Sequence, residues 1–292
     1  MGTRSRKVVT LDFHVTSECS QECPYCWGPQ QIRQVSGRTA RQVIEQARRF
    51  GIRRIVFTGG DPLQRADIGP LTRYAKRLGL EVALSTTGDR LTARFLNRYG
   101  RDIDLISLPL DGSCEQVNAL TKKPGHFAAV MHALEILGRH PYIDVKVCTP
   151  VTSKNLHDVP AIVRLVDRWA RGVRNRVFCN IFQTFPRAMK SVDWDGWLVS
   201  DGEFRALRRR VRATRPRVQV NFLSTRTLDR LYAMIFPDGS LVVPSGPAYC
   251  AFGKFLKIKD LDATLAETQF DAARHRRHAR GWRKVSVRST GS

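Results

Sequence analysis

Short apolar runs alternate with longer amphipathic ones along most of the chain, as expected for βα units laid around a parallel sheet. Val8–Val15 (VVTLDFHV) reads as the first strand, and Ser36-Gly37-Arg38-Thr39 leads into an amphipathic helix over Thr39–Phe50. The next units pair strand Arg54–Thr58 with helix Ile68–Leu78, Glu81–Thr86 with Thr92–Tyr99, and Ile103–Leu108 with Phe127–Gly138. Tyr142–Thr149 with helix Asp158–Ala170, and then strand Arg176–Phe182, bring the series to six units over residues 8–185. Beyond them the rhythm changes. Ser200-Asp201-Gly202-Glu203 has the form of a capping box opening a helix over Phe204–Ala213. Val218–Phe222 suggests a strand, and Pro237-Asp238-Gly239 sits between two apolar runs as a hairpin turn. The basic end of the chain reads as a short helix followed by a frayed tail. These boundaries predict a barrel-like core over residues 1–190 and a small α+β extension over 191–292, forming a substrate lid and a basic tail.

Composition changes the picture in two respects. An apolar fraction of 42% over 292 residues is ordinary for a globular chain. No run approaches the roughly 18 consecutive apolar residues of a membrane span. With no signal-peptide core after the basic N-terminus, the expectation is a cytoplasmic protein without membrane contact. The charge, by contrast, is lopsided: 49 Lys plus Arg stand against 26 Asp plus Glu, for a net +23. The excess concentrates over Arg205–Arg217 and Arg274–Arg288, and such a field attracts nucleotides, nucleic acid or acidic peptides without choosing among them.

Of the seven cysteines, three fall within eight positions: Cys19-Ser-Gln-Glu-Cys23-Pro-Tyr-Cys26, immediately after the first predicted strand. That spacing is no secreted disulfide framework. Thiolates serve iron–sulfur clusters and zinc alike, but structural zinc closes with a fourth ligand, whereas three thiolates leave one iron of a cluster open. His14 is the neighbour that would close a Cys3His zinc site instead. Cys114, Cys148 and Cys179 read as buried small apolar residues.

The CxxxCxxC run, with aromatic Tyr25 before its third cysteine, resembles the signature of the radical S-adenosylmethionine (SAM) superfamily. Thr58-Gly59-Gly60-Asp61-Pro62-Leu63 is similar to that family's glycine-rich GGE segment with Asp for Glu; Thr86-Thr87-Gly88 and Ser107–Gly112 follow where later motifs fall. The resemblance implies an α/β fold, a partial (β/α)6 TIM-like barrel. It also implies a [4Fe-4S] cluster on Cys19, Cys23 and Cys26, with SAM as second cofactor on the fourth iron. Gly59, Gly60 and Asp61 would contact the methionine part of SAM, Ser85 and Thr87 the ribose, and Tyr25 the adenine side. Thr149, Lys154, Asn155 and Gln183, at or just beyond the ends of the fifth and sixth strands, are further candidates for holding SAM, and Asp111, Lys122 and Arg187 for holding substrate. A flavodoxin or ferredoxin would donate the electron, and the resulting 5'-deoxyadenosyl radical would abstract hydrogen from an anionic substrate: a nucleotide, a biosynthetic intermediate or a peptide.

Arg176–Gln183 and Val199–Phe204 resemble viperin and its nucleotide-dehydrating relatives, although Trp27-Gly28-Pro29 departs from that branch's Phe-His. The extension carries only Cys250, so no second cluster is expected. Two further readings compete: a radical SAM enzyme acting on RNA, motivated by the arginine clusters, and a non-catalytic metal-dependent nucleic-acid-binding module.

Overall fold

The computed structural model describes residues 8–186, 194, 196–268 and 270–280. Its first half runs β1 (Thr10–Thr16), α1 (Gly37–Arg49), β2 (Arg54–Gly59), α2 (Ile68–Arg77), β3 (Glu81–Ser85), α3 (Ala93–Tyr99), β4 (Leu105–Pro109), α4 (Glu115–Asn118) and α5 (His126–Gly138). Then come β5 (Asp144–Val151), α6 (Val159–Arg171), β6 (Val177–Gln183), α7 (Asp201–Ala213), β7 (Gln219–Leu223), α8 (Thr225–Leu228), β8 (Met234–Ile235), β9 (Ser240–Ser245), β10 (Ala248–Lys254), α9 (Leu261–Ala266) and α10 (Ala272–Arg280).

Local sequence explains the helices. In α1 the Ser36 hydroxyl accepts the Thr39 N–H at 3.1 Å, Ala40, Val43, Ile44 and Ala47 form the buried stripe, and Arg48 and Arg49 face the negative end of the dipole. Ser200 and Glu203 complete the expected capping box at α7.

Among the described residues the strands form one open sheet in the order β10-β9-β8-β1-β2-β3-β4-β5-β6-β7. Neighbours from β1 through β7 pair in parallel, so α7 and β7 continue the βα rhythm as a seventh strand beside β6. At the other edge β8 lies parallel to β1, β9 returns antiparallel to β8 after the Pro237–Gly239 turn, and β10 folds back antiparallel on β9. The two faces of the curved sheet differ. Leu11, Phe13 and Val15 of β1 are fully buried in the main apolar core, whereas Thr10, Asp12 and His14 alternate with them and line a cavity on the other face. Apolar burial against the helices holds the barrel together, and the lumen is left free for chemistry.

No helix among the described residues is long and apolar enough to cross a membrane. The arginines of α7 are exposed to solvent.

Candidate cluster and cofactor site

The cysteine loop leaves the end of β1 and is clamped to the end of β2 by backbone hydrogen bonds. Gly60 N–H donates to the Thr16 carbonyl at 2.8 Å, and Asp61 N–H to that of Glu18 at 2.6 Å. This contact explains the paired glycines. A Cβ on Gly60 would stand 2.1 Å from the Glu18 oxygen, and one on Gly59, whose φ is +151°, would stand 2.3 Å from the Thr16 oxygen. The close approach that glycine permits here is to the cysteine loop itself. Further along, Gln21 Nε2 donates to Asp89 at 2.8 Å, and the Lys123 N–H donates to Gln21 Oε1 at 2.9 Å, tying the loop to β3's exit and to the start of α5.

Each of the three sulfurs receives an N–H. Gln21 N–H points at Cys19 Sγ (3.4 Å), Gly28 N–H at Cys26 Sγ (3.3 Å), and the Lys122 ammonium at Cys23 Sγ (3.0 Å). Such donors stabilise thiolate ligands and tune iron–sulfur centres. Among the described residues no three His, Cys, Asp or Glu side chains form a group that could hold a single ion, and the His14 ring packs edge-on against Phe236, 5.5 Å between centres. Three soft donors without a fourth fit a four-iron cube with one open corner.

All three cysteines line a cavity of about 390 Å³, within the usual range for a small-molecule site. Gly59, Gly60, Ser85, Thr87, Tyr25, Gln183 and Lys122 line it as well. Asp61 does not: it is fully buried one layer behind, where Thr86 and Thr87 hydroxyls donate to its two oxygens at 2.6 and 2.7 Å and the Leu63 N–H adds a third bond. Burial raises its pKa, and these three bonds oppose the rise. Thr149, Lys154 and Asn155 also stand away from the lining. Thr149 caps the Leu110 carbonyl, Asn155 bridges the Asp111 and Pro150 carbonyls, and the Lys154 ammonium lies 5.7 Å from the centre of the Trp197 ring. Asp111 is fully buried and receives the hydroxyls of Tyr25 and Thr121. Arg187 lies outside the described residues.

Several lining residues lie deeper in the lumen and carry no local motif: Asp12, His14, Arg54, Lys146, Asn180 and His278. Burial in the lumen lifts Asp12 to about 7 despite the nearby Lys146 and Arg54 cations, and burial pulls Lys146 down. For those on strands the sequence signal is the alternation of polar with apolar residues, visible in Thr10-Leu-Asp12-Phe-His14 and easily taken for a solvated face; His278, on α10, has no such signal. Cys148 is another correction. It is half-buried, lines the cavity and lies 3.3 Å from the Ser107 hydroxyl, because β5 turns it inward; Cys114 is half-buried too, at the N-cap of α4, whereas Cys179 is buried as expected.

A family profile described as Radical SAM superfamily matches residues 13–166, more than half of the chain. The chain therefore belongs to the radical SAM superfamily, and its cofactors are a [4Fe-4S] cluster and S-adenosylmethionine. Among curated proteins it is similar to the mycofactocin maturase MftC of Mycobacterium ulcerans, 26% identical over 206 residues, 67% of this chain and 56% of that one. It is also similar to the AdoMet-dependent heme synthase of Oleidesulfovibrio alaskensis, 30% identical over 163 residues, covering 54% and 42% of the two chains. The chain thus spans about half the length of the curated relatives it matches. Among solved structures, Streptococcus suis SuiB bound to precursor peptide SuiA shares the fold at a TM-score of 0.67 and 13% identity, over 96% of this chain and 68% of that one. Native anSMEcpe with bound AdoMet does so at 0.67 and 12%, over 92% and 82%.

Proposed function

We propose that the chain carries out radical SAM catalysis on a peptide, with the cluster held by Cys19, Cys23 and Cys26. The observation that carries this reading is a loop of three N–H-bonded thiols opening on one cavity. The chemistry the bound cluster supplies is one-electron reductive cleavage of SAM, giving methionine and a 5'-deoxyadenosyl radical. The chain's own residues position the reactants. The backbone of Gly59 and Gly60, at the end of β2, and the hydroxyls of Ser85 and Thr87, at the end of β3, line the cavity where the methionine and ribose parts of SAM would lie. Asp61 acts through Thr86 and Thr87, and Asn155 through the Asp111 loop. The described part of the extension contributes a covering wall through Tyr232, Met234 and Tyr249: Tyr249 of β10 donates its hydroxyl to the Trp27 carbonyl at 2.7 Å and so fastens β10 over the cysteine loop. A flavodoxin or ferredoxin serves as electron donor.

A peptide is favoured over a phosphate-bearing substrate by the polar atoms left unpaired in the cavity wall. His14 Nδ1, Asn180 Nδ2 and Thr184 Oγ1 are buried without a hydrogen-bond partner among the described residues, and all three residues line the cavity. Burial holds His14 neutral, near a pKa of 4, so its ring offers an acceptor, Asn180 offers a donor, and the hydroxyl does either. That set complements an amide. Trp27, Phe182, Tyr232 and Met234 supply apolar wall around it. SuiB and anSMEcpe, which share the fold, have been solved with peptides bound.

Anaerobically reconstituted protein should form 5'-deoxyadenosine from SAM on reduction, and the Cys19→Ala, Cys23→Ala, Cys26→Ala triple variant should form none and lose its iron. Retention of iron by the triple variant refutes the site. For the substrate, deuterated peptides should pass deuterium into 5'-deoxyadenosine, whereas transfer from deuterated nucleotides alone would refute the peptide reading.

A further inference from the structure

We propose that Lys122 sets the reduction potential of the cluster by donating a charge-assisted hydrogen bond to the sulfur of Cys23. The inference rests on the reading that Cys23 is a cluster ligand, and it adds a role for a residue outside the cysteine motif. Lys122 lies four residues past the end of α4, and its side chain is only 5% exposed. Its ammonium is 3.0 Å from Cys23 Sγ, 3.7 Å from Asp111 Oδ2 and 5.2 Å from the centre of the Tyr25 ring.

That position is built. Tyr25 and Thr121 hydroxyls both donate to Asp111 Oδ2, the Asp111 N–H donates to the Asn118 side chain at 3.0 Å, and Asn155 Nδ2 donates to the Asp111 carbonyl at 2.9 Å. Two hydroxyl bonds hold the carboxylate at Oδ2 and two more hold the Asp111 main chain, and the ammonium is confined between that carboxylate, the Tyr25 face and the sulfur. A lysine that served only as a surface cation would need none of this.

The three sulfurs are unequal in consequence. Cys19 receives a backbone N–H, and Cys26 a backbone N–H and the Gln30 side-chain amide, all of them neutral dipoles. Cys23 receives a full positive charge from a side chain. An electron added to an iron–sulfur cube places more negative charge on its thiolate sulfurs, so a cationic donor stabilises the reduced form more than the oxidised one. The low dielectric around a buried pair strengthens the effect, and the Asp111 carboxylate offsets part of it. The net result is a cluster that is easier to reduce than the three cysteines alone would make it.

The experiment is an EPR-monitored redox titration of the anaerobically reconstituted full chain, without SAM or substrate, so that any part Lys122 plays in binding either is silent. In Lys122→Met the reduced-to-oxidised ratio at a fixed potential should fall at least tenfold, which for a one-electron couple is a shift of about 59 mV downward. Lys122→Arg, which keeps a charged donor, should stay near the parent. The Asp111→Asn, Lys122→Met double variant, which leaves no buried carboxylate unpaired, should still lie below the parent. An unchanged midpoint in Lys122→Met at parental iron content overturns the proposal. Should that variant take up no cluster, the parent labelled with 15N-lysine decides. A 15N hyperfine coupling on its reduced cluster in pulsed EPR supports the bond, and its absence overturns it. A parent that holds no cluster refutes the ligand assignment instead.

Discussion

At the scale of single residues, the paired glycines at the end of β2 tie two distant segments together. With the Glu18 oxygen 2.1 Å from where a Cβ on Gly60 would stand, Gly60→Ala must push the cysteine loop away from β2. Overpacking of this kind costs roughly 1–3 kcal/mol. The expected outcome is a folded protein with reduced iron per chain, read by iron and sulfide assay beside circular dichroism; full iron loading would show that the loop does not depend on this contact. The glycines and cysteines were legible because both motifs are short and adjacent to strand ends. The partners of Asp61 were not. Its carboxylate reaches Thr86 and Thr87, some twenty-five positions later, and no local pattern distinguishes a carboxylate that meets a ligand from one that orients the residues which do.

Among the elements, helix starts were read closely because capping is local chemistry. Ser200→Ala removes the acceptor for the Glu203 N–H and should cost about 1 kcal/mol in urea unfolding while leaving cluster content unchanged. Loss of the cluster in that variant would mean that α7 does more than cover the sheet. The short elements α4 and α8 have no side-chain cap, and four residues are too few to show a helical period; α9 is nearly as short but starts on Asp260, which accepts the Ala263 N–H. Element α10 is a different case. It was expected as a basic helix, yet it places His275 and His278 in the cavity wall. His275 Nδ1–H donates to the Leu231 carbonyl at 2.9 Å, and its Nε2 accepts the Val9 and Thr10 N–H groups at 3.1 and 3.2 Å. Only the neutral ring can do both.

For the molecule as a whole, that requirement becomes a pH dependence. Burial pushes His275 below its ordinary 6.5 to about 4, so between those values the unfolded chain binds a proton that the folded chain refuses. Stability is complete above pH 6.5 and is lost as pH falls toward 4, by about 2–3 kcal/mol from this ring. His14 and His278, held at about 4 and about 3, act in the same sense. Urea midpoints should therefore fall steeply from pH 7.5 to 5. His275→Gln should start lower at pH 7.5 and lose less over that interval, and an equal loss in parent and variant would assign the dependence to other groups.

Sequence by itself determined the order of the βα units, the helix caps and the three-thiol loop, because each depends on neighbours a few residues apart. It did not reveal that β7 extends the parallel sheet while β8 to β10 attach beside β1, since edge pairing is settled by which strand remains open after the helices have packed. Tertiary structure alone decided which polar residues face the lumen, which carboxylates lie buried behind it, and that a lysine about a hundred positions from the cysteines meets one of their sulfurs. The physical reason is common to all three: curvature of the sheet turns alternate side chains of distant strands toward one enclosed space, and enclosure is what gives a charge or an unpaired donor its energetic weight.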